Sequence, residues 1–278
     1  MVRGRLADER AENAGDAARL RRYAEALAFA EGDQWLAPAR RGEARLTFNY
    51  ARAVVRKTAA YVFPAPVTFR AGPARPGEEA GAAATERALS AAVAALDLGA
   101  LDVALCREAA TLGDAAVKVT WDAEGDVPVV APVDPASLSA RTAPDRPRRV
   151  LEVSQRYGLP PDRLEELGWL RDGHLALPDR LLPVTEHWTI DRWRVEAAGQ
   201  VVRDGENPYG WIPYVLLPND PRPHDLWGRS DLEDLYDACR EINSRISTLS
   251  RILELSGAPI AEQENVDCSD GIADRPGA

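Results

Sequence analysis

At 278 residues, 45% hydrophobic and 28% charged, the chain has the composition of a folded protein of one large or two modest domains, not of a disordered one. A net charge of −10 argues against a protein that grips nucleic acid over its whole surface. No apolar run approaches the ~20 residues that span a bilayer. The N-terminus, MVRGRLADERAENAGDAARLRR, lacks the apolar core of a signal peptide, so the expectation is a cytoplasmic compartment with no membrane contact. Cys106, Cys239 and Cys268 are odd in number and far apart, and Cys106 and Cys239 fall on apolar helix faces, which predicts buried thiols there and not a disulfide framework or zinc site.

Residues 8–30 are rich in Ala, Arg and Glu and read as a helix. Leu20, Tyr23, Leu27 and Phe29 supply its apolar face, and Gly32-Asp33 ends it. Trp35 and Leu36 precede a loop from Pro38 to Gly42. Asn49 is a candidate N-cap for a helix from Ala51 to Val62, with Val54, Val55, Thr58, Tyr61 and Val62 at helical spacing and Pro64 as its stop. Val67-Thr68-Phe69 reads as a short strand, and Gly72 to Gly81 as a turn-rich linker carrying Pro73 and Pro76. Ala82 to Leu112 is a long helical region faced by Leu89, Val93, Leu96, Leu101, Leu105 and Leu112. Gly99 weakens its middle, where the helix either runs on or breaks, and Gly113-Asp114 closes it.

The chain then changes period. Ala116 to Trp121 alternates as a strand, Asp122 to Asp126 is a hairpin loop, and Val127 to Val133 is a second strand. Asp134-Pro135 turns the chain, and Val150 to Tyr157 is a third strand. Pro160 to Leu170 reads as a short helix or an irregular insert. Val184 to Ile190, Arg192 to Ala197, Val201-Val202 and Ile212 to Leu217 continue the β-rich section, with a turn at Asn207-Pro208-Tyr209-Gly210. Helices first, strands next and a long helix last is the order of an α+β fold with segregated elements.

That last helix is the best-formed element of the sequence. Leu232, Leu235, Tyr236, Cys239, Ile242, Ile246, Leu249, Ile252 and Leu253 recur at steps of three and four. Ser230 and Glu233 read as a capping box, and Gly257 as a left-handed C-cap followed by Pro259. From Asp231 to Ser256 the helix would run ~39 Å. Asp231, Glu233, Asp234 and Asp237 crowd its positive end, which the helix dipole explains without metal chemistry.

Signals for covalent chemistry are weak. Gly72, Gly77 and Gly81 lack the following Lys-Ser/Thr of a phosphate cradle. His174, His187 and His224 have no metal-binding company. His187 beside Glu186 is the best general-base candidate, but its alternation with Trp188 and Ile190 places it on a strand face. Arg156 to Leu170 lacks the basic second helix of a DNA-reading motif. Trp188, Trp193 and Trp211 read as cross-strand packing or an interface. Two arginine clusters, Arg40, Arg41 and Arg45, and Arg146, Arg148 and Arg149, read as solvated loop charge.

Four stretches taken together resemble the phage portal proteins, in particular the SPP1-like group. EGDQWLAP with RLTFNYARAVVRKTAAYVFPAPVTF is similar to the family's opening, a G-x-x-W segment and an N-Y-A-R-x-x-V helix running into a P-V strand. REAATLGDAAVKVTWDAEGDVPVVAPVDPASL resembles its helix-to-hairpin passage with a D-P turn near the clip. HWTIDRWRV and NPYGWIPYVLLPND resemble the strands leading to the stem. WGRSDLEDLYDACREINSRISTLSRILELSGAPI resembles the G-x-S-x-L stem helix, here Gly228, Ser230 and Leu232.

The resemblance implies a ring of identical subunits, usually a dodecamer, at a capsid vertex in the virion, assembled in the host cytoplasm. Double-stranded DNA passes through its channel without sequence-specific binding. The terminase large subunit and later the head–tail connector dock on it, beside capsid proteins. It implies no enzymatic activity and no cofactor. The expected division is a wing-like part over 1–81, a helical lead to the stem over 82–114, a β-rich section with the clip over 115–226, the stem helix over 227–260, and the start of a missing C-terminal part over 261–278. Asp234, Asp237, Arg240, Glu241, Arg245 and Arg251 are the charges expected to face the channel or pair across subunits. Ile246→Asp is expected to impair folding or ring formation. Two alternatives remain: a metal-dependent enzyme such as a nuclease using the acids near Asp231, and another capsid adaptor.

Overall fold

A computed structural model describes residues 2–41, 43–73, 75, 77–169 and 181–257, with backbone only for residues 2–15. Leu170, His174, Pro259, Cys268 and everything from residue 258 onward lie outside the described residues. The fold is α+β and ends its described part on a long helix.

Helix α1 (Val2–Glu31) is longer than its sequence pattern, and Gly32 ends it at φ 110°. Its buried side is Arg19, Tyr23, Ala26 and Phe29, whereas Leu20 and Leu27 are exposed. The expected apolar face is thus rotated to admit a buried arginine. Helix α2 (Tyr50–Val62) starts at Asn49, whose side chain accepts from the Arg52 N–H as expected, and buries Ala51, Val55 and Ala59 one turn apart. Val67 to Phe69 forms no strand; the chain there is exposed, without ladder partners, and Pro66 lies 3.5 Å from where a side chain on Gly99 would begin. The long helical region is two helices, α3 (Glu79–Ala95) and α4 (Leu98–Leu112), bent by 61°. The break falls at Leu96-Asp97, with Asp97 at φ 46°, and not at Gly99. Helix α3 has no buried residue, whereas α4 buries Leu105 and Ala110. Among the described residues no single helix is long and apolar enough to cross a membrane, although the bent α3–α4 pair qualifies on length and composition alone.

Strands β1 (Asp114–Asp122) and β2 (Val127–Pro132) form the expected hairpin, and β8 (Tyr214–Pro218) completes a three-stranded antiparallel sheet on the other side of β1. Pro128 is tolerated because β2 is an edge strand. A short 3-10 turn (Pro135–Ser137), capped by Asp134, leads into a five-stranded antiparallel meander. Its strands are β3 (Leu138–Ala143), β4 (Arg146–Leu159), β5 (Leu182–Thr189), β6 (Arg192–Ala197) and β7 (Gln200–Glu206). Strand β3 follows the Asp134-Pro135 turn and was not expected from the sequence; its alternation is short, Leu138 and Ala140 facing the core, and it is an edge strand held by its ladder to β4. Helix α5 (Pro161–Glu166) buries Leu164 against Val184, Val195 and Ala197.

The layers follow from strand alternation. Ala115, Val117 and Val119 of β1 face α4, packing on Leu101, Leu105 and Ala109. Ala116 and Tyr214 point the other way, onto Leu138, Val153 and Trp188 of the meander. Between these two sheets Lys118 pairs with Glu186, and Glu186 also accepts from Trp188 Nε1 at 3.0 Å and Tyr157 Oη at 2.9 Å. Burial raises the Glu186 pKa, but the charge and hydrogen bond of Lys118, with the other two donors, outweigh it and hold the carboxyl below its ordinary value. A second core gathers Phe29, Ala51, Val55, Ala110, Leu232 and Cys239 from α1, α2, α4, the approach to α6 (Tyr236–Gly257) and α6 itself.

Candidate functional site

The approach to α6 is fixed before the helix begins. Gly228 lies so close to its neighbours that an added Cβ would stand 2.2 Å from the carbonyl oxygens of both Asn219 and Gly113. Gly113 sits at φ 97°, and its own Cβ would meet the Arg229 backbone at 2.8 Å. Backbone bonds lace this crossing: Asn219 N donates to Gly113 O at 2.8 Å, Arg229 N to Asn219 O at 2.7 Å, and Asp231 N to Ala110 O at 2.9 Å. Leu232 is fully buried. So each of the three residues of the G-x-S-x-L pattern has a steric or bonding role at the end of α4.

Ser230 and Glu233 do not form the expected capping box. The Ser230 hydroxyl donates to the Ala110 and Thr111 carbonyls, where α4 runs out of intrahelical donors, and accepts from Leu232 N at 3.1 Å. Glu233 reaches Arg229 at 3.4 Å instead of the Ser230 backbone. A 3-10 turn (Glu233–Leu235) intervenes, so the long helix begins at Tyr236. Its 22 residues span about 33 Å. Gly257 is still helical and is absent from the positive-φ positions of the described residues, so it is not the left-handed cap expected.

The apolar stripe divides. Cys239 is buried, with Leu235 and Tyr236 packed partly against the same core. Ile246 is half-buried, which weakens the expectation for Ile246→Asp as a folding mutation, and Ile242 is exposed. Leu249, Ile252 and Leu253 are 55%, 53% and 62% exposed, and Leu255 beside them is 66% exposed. What seats the helix beyond Cys239 is a polar row at four-residue spacing. Asn243, 1% exposed, accepts from Phe48 N at 2.8 Å and donates to Gln34 Oε1 at 2.7 Å. Gln34 donates in turn to Phe29 O at 3.0 Å and Asn49 Oδ1 at 3.2 Å. Ser247 Oγ accepts from Leu46 N at 2.9 Å. Sequence reasoning missed Gln34 and Asn243; the only available signal was an Asn where the stripe should hold an apolar residue.

The charges of the helix are largely matched within the chain. Arg240 lies 3.6 Å from Asp237 and 3.5 Å from Glu25, over the rings of Phe29 and Tyr236. Glu241 and Arg245 pair at 2.6 Å. Asp234 and Arg251 form no ion pair among the described residues. Asp231 accepts from Asn219 Nδ2 at 2.8 Å, so three of the four acids of this end, Asp231, Glu233 and Asp237, are engaged by different partners. No group of three or more His, Cys, Asp or Glu among the described residues is placed to hold a metal ion.

A second polar cluster ties α1 to the β-layers. Arg19, 2% exposed, donates to the carbonyls of Pro135 and Leu138 and stacks 3.9 Å over the Trp227 ring. Tyr23 donates to Asp114, whose other oxygen accepts from Gly228 N at 2.9 Å. Burial, and then the Asp114 charge, push the Tyr23 phenol well up; burial also raises Asp114 against these bonds. His187 and Glu186 fall on opposite faces of β5. The His187 Nδ1 that meets Ser154 Oγ at 2.8 Å also faces Glu152 at 3.7 Å. A proton relay needs its two partners on different ring nitrogens. Trp188 and Trp193 stack across β5 and β6 at 5.5 Å, which is the cross-strand packing expected of them. Compared with known protein families and with curated proteins, the chain matches none.

Proposed function

We propose that this protein is a structural subunit of a viral portal ring, the conduit through which DNA is packaged into and ejected from a capsid. The observation that carries the reading is the division of α6. Its first half is locked to α1, α2 and α4, while Leu249, Ile252, Leu253 and Leu255 are more than half exposed among the described residues. A subunit that must present a rigid helix to identical neighbours needs that arrangement, because a bare apolar patch marks an association surface. The four portal-like stretches supply the direction. The G-x-S-x-L residues at the start of the helix are the ones that fix its exit from the core. In the ring the helix would cross the waist between the β-rich section and the wing, with terminase and connector docking on the β-rich side.

Negative-stain images and mass photometry over a wide concentration range test this. Closed rings of identical subunits are expected. A population of monomers and twofold dimers alone would overturn it.

A further inference from the structure

Charge is distributed unevenly along this acidic chain. Residues 34–77 hold eight of its 34 Arg and Lys but one of its 44 Asp and Glu. That one acid, Glu43, is taken by Arg45, at 3.0 Å, and Arg45 also stacks on Trp35. Among the described residues Arg45 is the only one of the eight to form an ion pair. Arg40, Arg41, Arg56, Lys57, Arg70 and Arg75 are all exposed.

The fold holds these cations along one segment. Helix α2 turns Ala51, Val55 and Ala59 inward, which leaves Arg56 and Lys57 on its outer side. The loop bearing Arg40 and Arg41 is anchored at one end of α2 through the bonds of Leu46 and Phe48 to α6. The stretch leading to Arg70 leaves its other end and passes Gly99 at Pro66. Helix α2 spans about 20 Å, over which a duplex strand offers about six phosphates. Exposed rings are interleaved with the charges: Phe48 and Tyr50, stacked at 6.4 Å, Tyr61 under Lys57, and Phe69. Cations mixed with open ring faces form the usual footprint for nucleic acid.

We infer that Arg40, Arg41, Arg56, Lys57, Arg70 and Arg75 form a binding face for the sugar–phosphate backbone of nucleic acid. This replaces the solvated-loop reading of Arg40 and Arg41, while Arg45 is held by Glu43 and Trp35. The rival occupant is the acidic end of α6 in a second copy. It is the poorer fit, because Glu233, Asp237 and Glu241 there already face Arg229, Arg240 and Arg245 of their own chain. A single subunit carries the face, so the inference goes beyond ring formation: rings without binding, or binding without rings, would separate the two.

Fluorescence anisotropy with a labelled duplex of about 25 base pairs, and with the same single strand, tests it over about 50–200 mM salt. Binding that weakens steeply with salt is expected. Arg56→Gln with Lys57→Gln should cut duplex affinity about tenfold and lower the salt slope by about two, with unchanged melting. Arg148→Gln with Arg149→Gln, the same change of net charge on β4, should leave binding as it was. Tighter binding of the single strand supports the same face with bases stacked on its rings. Three results overturn the inference: no binding of either probe at low salt, equal loss in the β4 variant, or loss of self-association but not of DNA binding in the α2 variant.

Discussion

The two halves of α6 share one sequence pattern and have opposite fates. From Tyr236 to Ser247 the helix presses Cys239, Asn243 and Ser247 into a seat made by α1, α2 and the segment around Phe48. From Thr248 to Gly257 every residue is exposed, including four large apolar ones. Apolar periodicity reports that a face wants cover; it does not say which molecule supplies it. The buried half is also the more polar along its contact row. Its amides specify one docking position, since each must find its partner or leave an orphan in the interior. The bare half is apolar, and so suited to pairing with a second surface of the same kind.

That contrast breaks first at the entry to the helix. Gly228→Ala forces a Cβ against two backbone oxygens and should cost about 4 kcal/mol or abolish folding, read by urea unfolding and soluble yield. Asn243→Leu strands Phe48 N and the Gln34 amide and should cost about 2–3 kcal/mol in the same measurement. A loss below about 0.5 kcal/mol would mean that the seat is not held by these amides.

The helix beneath the seat supplies a pH handle. Burial, and then the charge of Asp134, push Glu108 on α4 from 4.5 up to about 7. Between those values the folded chain holds a proton that the unfolded chain has released, so stability falls as pH rises through that window. Glu108→Gln should therefore gain about 1–2 kcal/mol at pH 8, allowing for solvent screening, and nothing at pH 4. Denaturant melts at the two pH values check this, and a gain at both would refute the assignment.

The smallest effect on stability belongs to the bare half. Leu249→Ser with Leu253→Ser should change monomer unfolding by under about 0.5 kcal/mol, because both side chains are more than half exposed. The same variant should abolish rings under the microscope. Intact rings would show that these leucines do not face a neighbouring subunit.

Much of the architecture was legible. Caps and breakers placed α2, the C-terminal end of α4 and the β1–β2 hairpin within a residue or two, because Asn49, Gly113 and the Asp122–Asp126 loop act through local backbone geometry. Three features were not legible. Strand β3 has only a short alternation, Leu138 and Ala140, and is held by its ladder to β4. The Val67–Phe69 stretch has strand composition but no ladder partner. Arg19 gave no hint of burial: beside its local partners Asp16 and Tyr23, the carbonyls of Pro135 and Leu138 and the Trp227 ring, all more than a hundred residues away, close over the guanidinium.

The sequence by itself determined the α+β order, the helix ends set by Asn49 and Gly113, and the existence of one long amphipathic helix, because those depend on contacts within a few residues. Only the tertiary structure decided where that helix begins. The Ser230 hydroxyl accepts from Leu232 N but also satisfies the carbonyls of Ala110 and Thr111, and a 3-10 turn follows, so that the helix begins only at Tyr236. It also decided how far the apolar stripe is buried, since cover depends on which distant elements reach it, and none of the described ones reaches past Ser247.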